Sequence, residues 1–180
     1  SGNRRHVGPI VRPTTMTSEE TRRKYGIPGG PFILFSASGS GAGMELALRL
    51  AGVRDEAAPG VPLVISGNRG DKVSGSGVYD LGVLPDNQNL VACADLVVST
   101  AGKSTIDEAS AAGTPMIAIP IRHHAEQERN ALALGYRSDD GRRLAELVRE
   151  KLGKREKAQA YSGEKRAAEL LTSLLVSGRP

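Results

Sequence analysis

The chain has 180 residues, of which 39 % are hydrophobic, 24 % charged and 3 % aromatic, and its net charge is +4. That length suits one domain with a core of Ala, Val, Ile and Leu, and is too short for two comfortable ones. No apolar run nears the roughly 20 residues that span a bilayer, the opening residues do not read as a signal peptide, and the lone Cys93 excludes an internal disulfide and makes a reducing compartment the expectation.

Taken in order, residues 7–13 (VGPIVRP) read as an extended lead-in held by Pro9 and Pro13. Thr17 and Glu20 fit a capping box that opens a short helix to about Tyr25. A break follows, and then Phe32, Ile33, Leu34 and Phe35, the continuous apolar run of a strand buried on both faces. The small-residue stretch 36–43 leads into a helix from Met44 to about Leu50. Residues 62–66 form another strand, 71–77 a loose polar loop, 78–84 a short strand and 86–94 a short helix. Leu96, Val97 and Val98 make a strand that ends in Ser99, Thr100, Ala101 and Gly102, and a helix runs from Lys103 to Ala112, stopped by Gly113 and Pro115. The apolar run 116–121 and a polar cluster opening a further helix complete this βαβα unit. Leu144, Leu147, Val148 and Leu152 make one helical face; Ala167, Leu170, Leu171, Leu174 and Leu175 make another. The alternation predicts an α/β class, a Rossmann-like open parallel sheet with helices on both faces, as a single domain over 1–180.

Charge is unevenly placed. Residues 1–25 carry +4, residues 137–180 carry +4, and the middle carries −4. A nucleic-acid binder sets positive charge and stacking aromatics on its binding surface, so no nucleic-acid partner is expected. The plainer reading of the basic ends is solvated surface helices; the alternative is an anionic membrane surface.

Two loops carry candidate chemistry. In open α/β sheets ligands bind at the carboxyl ends of the strands. The loop 38–43 has glycines at 39, 41 and 43, which is not a GxGxxG pattern, yet it meets the same need: backbone N–H groups free to approach a phosphate, followed by a helix N-terminus. A plain tight turn explains it equally well. The second loop contains Gly102-Lys-Ser-Thr105. A Walker A motif would require glycine at 97, where Val97 stands, so a P-loop nucleotidase is disfavoured. Helical spacing puts Thr105 and Glu108 on one face. A carboxylate more than a turn inside the helix suits a ribose diol better than a phosphate, which it would repel; its simpler role is a surface charge near the helix N-terminus. His123 and His124, being adjacent, point apart and lack a third histidine nearby, so no metal is expected. Glu126 and Gln127 offer the acceptors and amide donors that sugar hydroxyls need. Cys93 reads as core and not as a nucleophile.

Together these segments resemble the C-terminal, donor-binding domain of GT-B glycosyltransferases, in particular the family of the bacterial lipid-II-forming GlcNAc transferase and its archaeal relatives. The resemblance covers roughly residues 7–135 and rests on Gly8-Pro-Ile-Val-Arg12, the glycine loop 38–43, the stretch from Ala94-Asp95 through Gly102 and Glu108 to Gly113 and Pro115, and Glu126-Gln127 with Asn130-Ala131. The first loop departs from the usual GGSxG. The resemblance implies that Arg12 and the loop Gly39, Ser40, Gly41 face the diphosphate, and that Gly102, Lys103, Ser104 and Thr105 continue that wall. It further implies that Glu108 holds the ribose hydroxyls, that Val83 and Leu84 border uracil through their backbone, and that Glu126 and Gln127 grip the sugar.

The implied activity is inverting transfer of a sugar, GlcNAc, from a UDP-sugar to a lipid-linked acceptor. The catalytic base would lie on an N-terminal acceptor domain or partner subunit, no cofactor or metal is required, and the location would be cytoplasmic, at the inner face of the membrane. Two alternatives stay open: a UDP-GlcNAc 2-epimerase-like domain, and a non-catalytic nucleotide-sugar-binding subunit that works only with a partner.

Overall fold

The computed structural model describes residues 5–37 and 43–176. Five strands, β1 (Ile33–Ser36), β2 (Leu63–Ser66), β3 (Val78–Asp80), β4 (Leu96–Ser99) and β5 (Met116–Ala118), form one sheet in the order β3-β2-β1-β4-β5. Every pairing is parallel. The residues of β1, β2, β4 and β5 are buried throughout, which is why those segments read as unbroken apolar runs in place of an alternation.

Helices make the crossovers. α1 (Ser18–Tyr25) precedes the sheet; α2 (Met44–Ala57) joins β1 to β2, α3 (Asn87–Cys93) joins β3 to β4, and α4 (Lys103–Ala112) joins β4 to β5. α5 (Ala125–Ala133), α6 (Leu144–Lys151) and α7 (Gly163–Val176) follow. α6 packs on α2, while α1 and α4 pack on α3. The β1-to-β2 and β4-to-β5 crossovers move in opposite directions from the sheet centre, so right-handed connections put α2 and α4 on opposite faces. The order therefore reverses between β1 and β4, the switch point where an open sheet leaves a crevice.

The expected capping box is present: Thr17 Oγ1 accepts from the Glu20 amide, and the Glu20 carboxylate accepts from the Thr17 amide. Other boundaries move for physical reasons. α2 continues past Leu50 to Ala57 because its inner positions, Leu50, Arg54 and Ala57, are buried, and that burial outweighs the ~1 kcal/mol helix penalty of the exposed Gly52. β3 stops at Asp80 and does not reach Leu84. Asp80 Oδ1 accepts from the Gly82 amide at 3.0 Å, and Gly82, at φ 66°, turns the chain away. β5 ends at Ala118; Ile119 still donates to Ser99, but Pro120 has no N–H to extend the ladder. A 3-10 turn at Ser138–Arg143 has no periodicity to announce it. Most of the last helical face is exposed, at Leu171, Leu174, Leu175 and Val176 of α7. Among the described residues no helix is long and apolar enough to cross a membrane.

Candidate functional site

The crevice is built from the ends of two neighbouring strands. Ser36 of β1 and Ser99 of β4 are paired in register, so the turns that leave them start side by side. A methyl built on Gly43, where the first turn delivers the chain to α2, would lie 3.3 Å from Thr100 of the second turn. Gly39, Ser40 and Gly41 lie outside the described residues. Ser36 also ties the crevice floor together: Asn87 Nδ2 donates to its hydroxyl at 3.1 Å, and Thr105 Oγ1 lies 3.5 Å away. The other end of the Asn87 amide, Oδ1, is buried and receives no donor among the described residues.

The second turn is held in an uncommon shape. Ala101 is fully buried and left-handed, at φ 62°, a region that costs a residue with a Cβ about 1 kcal/mol or more. Its amide donates to Ser99 Oγ and its carbonyl accepts from Asn130 Nδ2, both at 3.1 Å. The glycine beside it, Gly102, sits at an ordinary φ of −65°, and nothing lies within 4 Å of where its Cβ would be. Among the described residues, neither backbone conformation nor packing demands glycine there. Gly102 is also the N-cap of α4 and supplies no side-chain cap. The first amides of α4 thus open to the crevice without that partner, with the positive end of the helix dipole behind them. Lys103 and Ser104 are exposed; Lys103 pairs with Asp107 one turn on.

On the α4 side of the crevice, Glu108 is buried, 6 % exposed, and not the surface charge that is its simpler reading. Arg12 donates to Glu108 Oε1 from Nε at 3.1 Å and from Nη2 at 3.0 Å, and its Nη1 reaches the Pro85 carbonyl at 3.2 Å. Burial pushes the Glu108 carboxyl up from the usual glutamate value, and the Arg12 guanidinium opposes that shift. Arg12 and Glu108, read from the sequence as phosphate and ribose contacts, therefore meet each other here. The lead-in is fixed by Asn89, 1 % exposed, whose Oδ1 accepts from the Thr15 and Met16 amides and whose Nδ2 donates to Thr15 Oγ1.

The loop 81–86 borders the same crevice beyond β3. Val83 is exposed and Leu84 half-buried. Two networks shape it. At its start, Asp80 accepts from Asn68 Nδ2 and from the Val73 and Gly82 amides. At its end, Asp86 accepts from Lys24 Nζ at 2.7 Å and from Tyr25 Oη. Burial raises the Asp86 pKa, but the bonds from Lys24 and Tyr25 outweigh it and hold the carboxyl below the usual aspartate value.

Past β5, Glu126 is exposed at the start of α5, whereas Gln127 is buried with its Oε1 accepting from the Ile121 amide at 3.1 Å. His124 caps α5 by accepting from the Gln127 amide, and the His123 amide donates to Glu128. The His124 ring and the Glu128 carboxylate thus have structural partners in their own turn. Cys93 is buried against Ser18, in the core as its segment suggested.

Arg12 and Glu108 pair where the lead-in meets α3 and α4, while Gly102, Lys103, Ser104 and Thr105 open α4 at the end of β4, with Thr105 beside Ser36; Val83 and Leu84 lie in the loop after β3, and Glu126 and Gln127 at the start of α5. Sequence reasoning passed over Ser36, Asn87, Asn89, Asp86 and Tyr25. An asparagine at the start of a helix after an acidic turn residue was the one available signal for Asn87.

The family model for the glycosyltransferase family 28 C-terminal domain matches residues 72–170. An uncharacterized glycosyltransferase of Methanopyrus kandleri is 29 % identical over 133 residues, which is 69 % of this chain and 38 % of that protein. Among solved structures, Arabidopsis thaliana UGT89C1 complexed with UDP aligns with a TM-score of 0.58 at 16 % identity, over 93 % of this chain and 51 % of its own. The calicheamicin glycosyltransferase CalG4 aligns with a TM-score of 0.56 at 18 % identity, over 97 % and 49 %. At those identities the solved structures show the shared fold, a GT-B half. The chain spans well under half the length of its curated relative. With the family match covering more than half of its residues, the chain belongs to the C-terminal domains of glycosyltransferase family 28.

Proposed function

We propose that this chain is the donor half of an inverting transferase that moves GlcNAc from UDP-GlcNAc to a lipid-linked acceptor. The observation that carries the reading is the register of Ser36 with Ser99, which starts both turns side by side, with the N-terminus of α4, whose N-cap Gly102 supplies no side-chain bond, at the second of them. A diphosphate seated there would take hydrogen bonds from backbone amides on both sides. The bound UDP of UGT89C1 supports a nucleoside diphosphate at this edge by fold analogy alone.

In this reading Gly39, Ser40 and Gly41 and the stretch Gly102, Lys103, Ser104 and Thr105 hold the diphosphate. Glu108 takes the ribose hydroxyls on the oxygen that Arg12 leaves open, and Arg12 both orients that carboxylate and adds positive charge near the phosphates. The backbone of Val83 and Leu84 borders uracil, and Glu126 and Gln127 contact the sugar. In the transfer, an acceptor hydroxyl attacks the anomeric carbon while UDP departs. The charge growing on the diphosphate is stabilised by fixed amide dipoles, the α4 N-terminus and Lys103, without need of a metal. The base that takes the acceptor's proton belongs to an N-terminal domain or partner subunit. The place of action is the inner face of the cytoplasmic membrane, reached through the basic ends.

A calorimetric titration of the chain with UDP-GlcNAc, UDP-glucose, GDP-mannose and ATP tests this. UDP-GlcNAc should bind best, and Glu108→Ala should weaken it. Tightest binding of ATP would return the phosphate-loop reading; unchanged UDP binding by Glu108→Ala would overturn the ribose assignment.

A further inference from the structure

Among the described residues, the buried side-chain polar atoms without a hydrogen-bond partner include Oδ1 of Asn87 and Oε1 of Gln88, the two residues that open α3. Gln88 also borders a cavity. It is 8 % exposed and, with Arg12 and Glu108, lines a space of about 350 Å³ where the lead-in crosses α3 and α4. Val11, Pro13, Ala92 and Ala111 give that space largely apolar walls. Gln88 Nε2 donates to the Pro13 carbonyl at 3.5 Å, which fixes the amide and leaves Oε1 as an acceptor that no described residue serves. Such an atom is uncommon, because burying an amide oxygen without a donor costs free energy. Glu108 brings a second acceptor to the same cavity: both Arg12 donors go to its Oε1, which keeps Oε2 clear of the guanidinium.

Two acceptors on facing helices suit a ligand that brings two donors, and they repel a phosphate. Vicinal hydroxyls meet that description. The position agrees. Glu108 lies three residues, about 4.5 Å along the helix axis, beyond Thr105, whose Oγ1 is 3.5 Å from Ser36 at the β1 turn. On the other side, Arg12 Nη1 reaches the Pro85 carbonyl in the loop after β3. The cavity thus stands between the phosphate turns and the loop assigned to the base, where a nucleoside diphosphate carries its ribose. We propose that Gln88 is a specificity-determining residue of the donor site: its Oε1 accepts one ribose hydroxyl while Glu108 takes the neighbouring one, so the site selects ribonucleoside diphosphate sugars over their deoxy counterparts. The proposal rests on the donor reading above. A deoxy sugar would leave a buried acceptor unpaired in the complex, and that loss discriminates more sharply than a missing methylene does.

The test is calorimetry with UDP, 2′-deoxy-UDP and 3′-deoxy-UDP on wild type and on Gln88→Met, which keeps the length of the side chain and removes the acceptor. The substitution takes away an unpaired amide oxygen and one long hydrogen bond, so the unliganded variant should melt within about 4 °C of wild type; Gln88→Leu replaces it should it fail to fold. Wild type should bind UDP about tenfold or more tighter than either analogue. In the variant UDP should weaken about fivefold, the analogue without the hydroxyl that Gln88 reads should stay within about twofold, and the preference over that analogue should fall below about threefold. Loss of either preference supports the assignment. A wild type that accepts both analogues as well as UDP overturns it. So does a variant that keeps both preferences, including one that weakens all three nucleotides by one common factor, as a residue with a merely structural role would. Failure of UDP itself to bind wild type strikes the donor reading, and this assignment falls with it.

Discussion

Replacing Glu108 by glutamine separates its cost to the fold from its service to the ligand. The carboxylate is 6 % exposed and takes two Arg12 donors on one oxygen. Its carboxyl is pushed above the ordinary value of 4.5 by burial, against the pull of Arg12. An unfolded glutamate loses its proton near 4.5, whereas the folded one holds it to higher pH. Between those two points the folded state binds more protons, so stability falls as pH rises through the window, and the penalty is fully present above it. The substituted amide would keep an acceptor for Arg12 and remove the buried charge. Unliganded Glu108→Gln should therefore melt no lower than wild type at pH 7, within the roughly 2–4 °C that 1 kcal/mol moves a domain of this size.

Binding should respond the other way. Hydrogen bonds to an ionised group are worth about 1.5–3 kcal/mol and neutral ones about 0.5–1.5. Exchanging the carboxylate for an amide should cost about 1.4 kcal/mol, a tenfold rise in Kd. Calorimetry with UDP-GlcNAc, whose phosphates stay ionised across the range, gives a second readout. Wild-type affinity should weaken on acidification starting above the ordinary glutamate range, and the variant should lack that slope. Equal affinity of the two proteins refutes the ribose role. A large loss of stability in the unliganded variant would mean that the charged pair with Arg12 is itself structural.

Other outcomes follow from single contacts. Gly113→Ala should cost the fold at least ~2 kcal/mol, read by urea unfolding, because the residue is at φ 66° and its new methyl would sit 2.5 Å from the Glu156 carbonyl oxygen. Asp86→Asn should remove an acid-sensitive contribution: the depressed carboxyl stabilises the fold above the ordinary aspartate range and loses that as pH falls, so wild type and variant should converge in thermal melts at low pH. Tyr25→Phe, which frees Asp86 on one side, should weaken UDP by a few-fold while leaving pyrophosphate binding unchanged, since it loosens the loop 81–86 and not the phosphate turns. Leu174→Lys/Leu175→Lys should change the melting temperature by no more than ~1 °C, because both side chains are exposed on α7.

Most of the frame was readable from the chain. β1, β2, β4 and β5 are buried on both faces and so left unbroken apolar runs, and α4 was bounded by its own stop signals, Gly113 at φ 66° and Pro115. What escaped lay where tertiary packing overrode local signals. α2 runs through Gly52 because residues on both sides of it are buried. The periodicity of α7 marked an apolar face but could not say that Leu171, Leu174, Leu175 and Val176 would be exposed on it. In the candidate site the left-handed residue of the second turn is Ala101 and not Gly102: the Ser99 and Asn130 contacts that hold it come from a strand end and from a different helix. Burial of Glu108 and its pairing with Arg12 span 96 positions of sequence and could be seen only once the lead-in lay across α3 and α4.

A crystal structure of the chain with UDP measures the central claim most directly. The diphosphate should lie between the end of β1 and the first turn of α4, within hydrogen-bond reach of the amides after Gly102, with the ribose against Glu108. Nucleotide bound anywhere else, or a diphosphate that touches only one of the two turns, would contradict it.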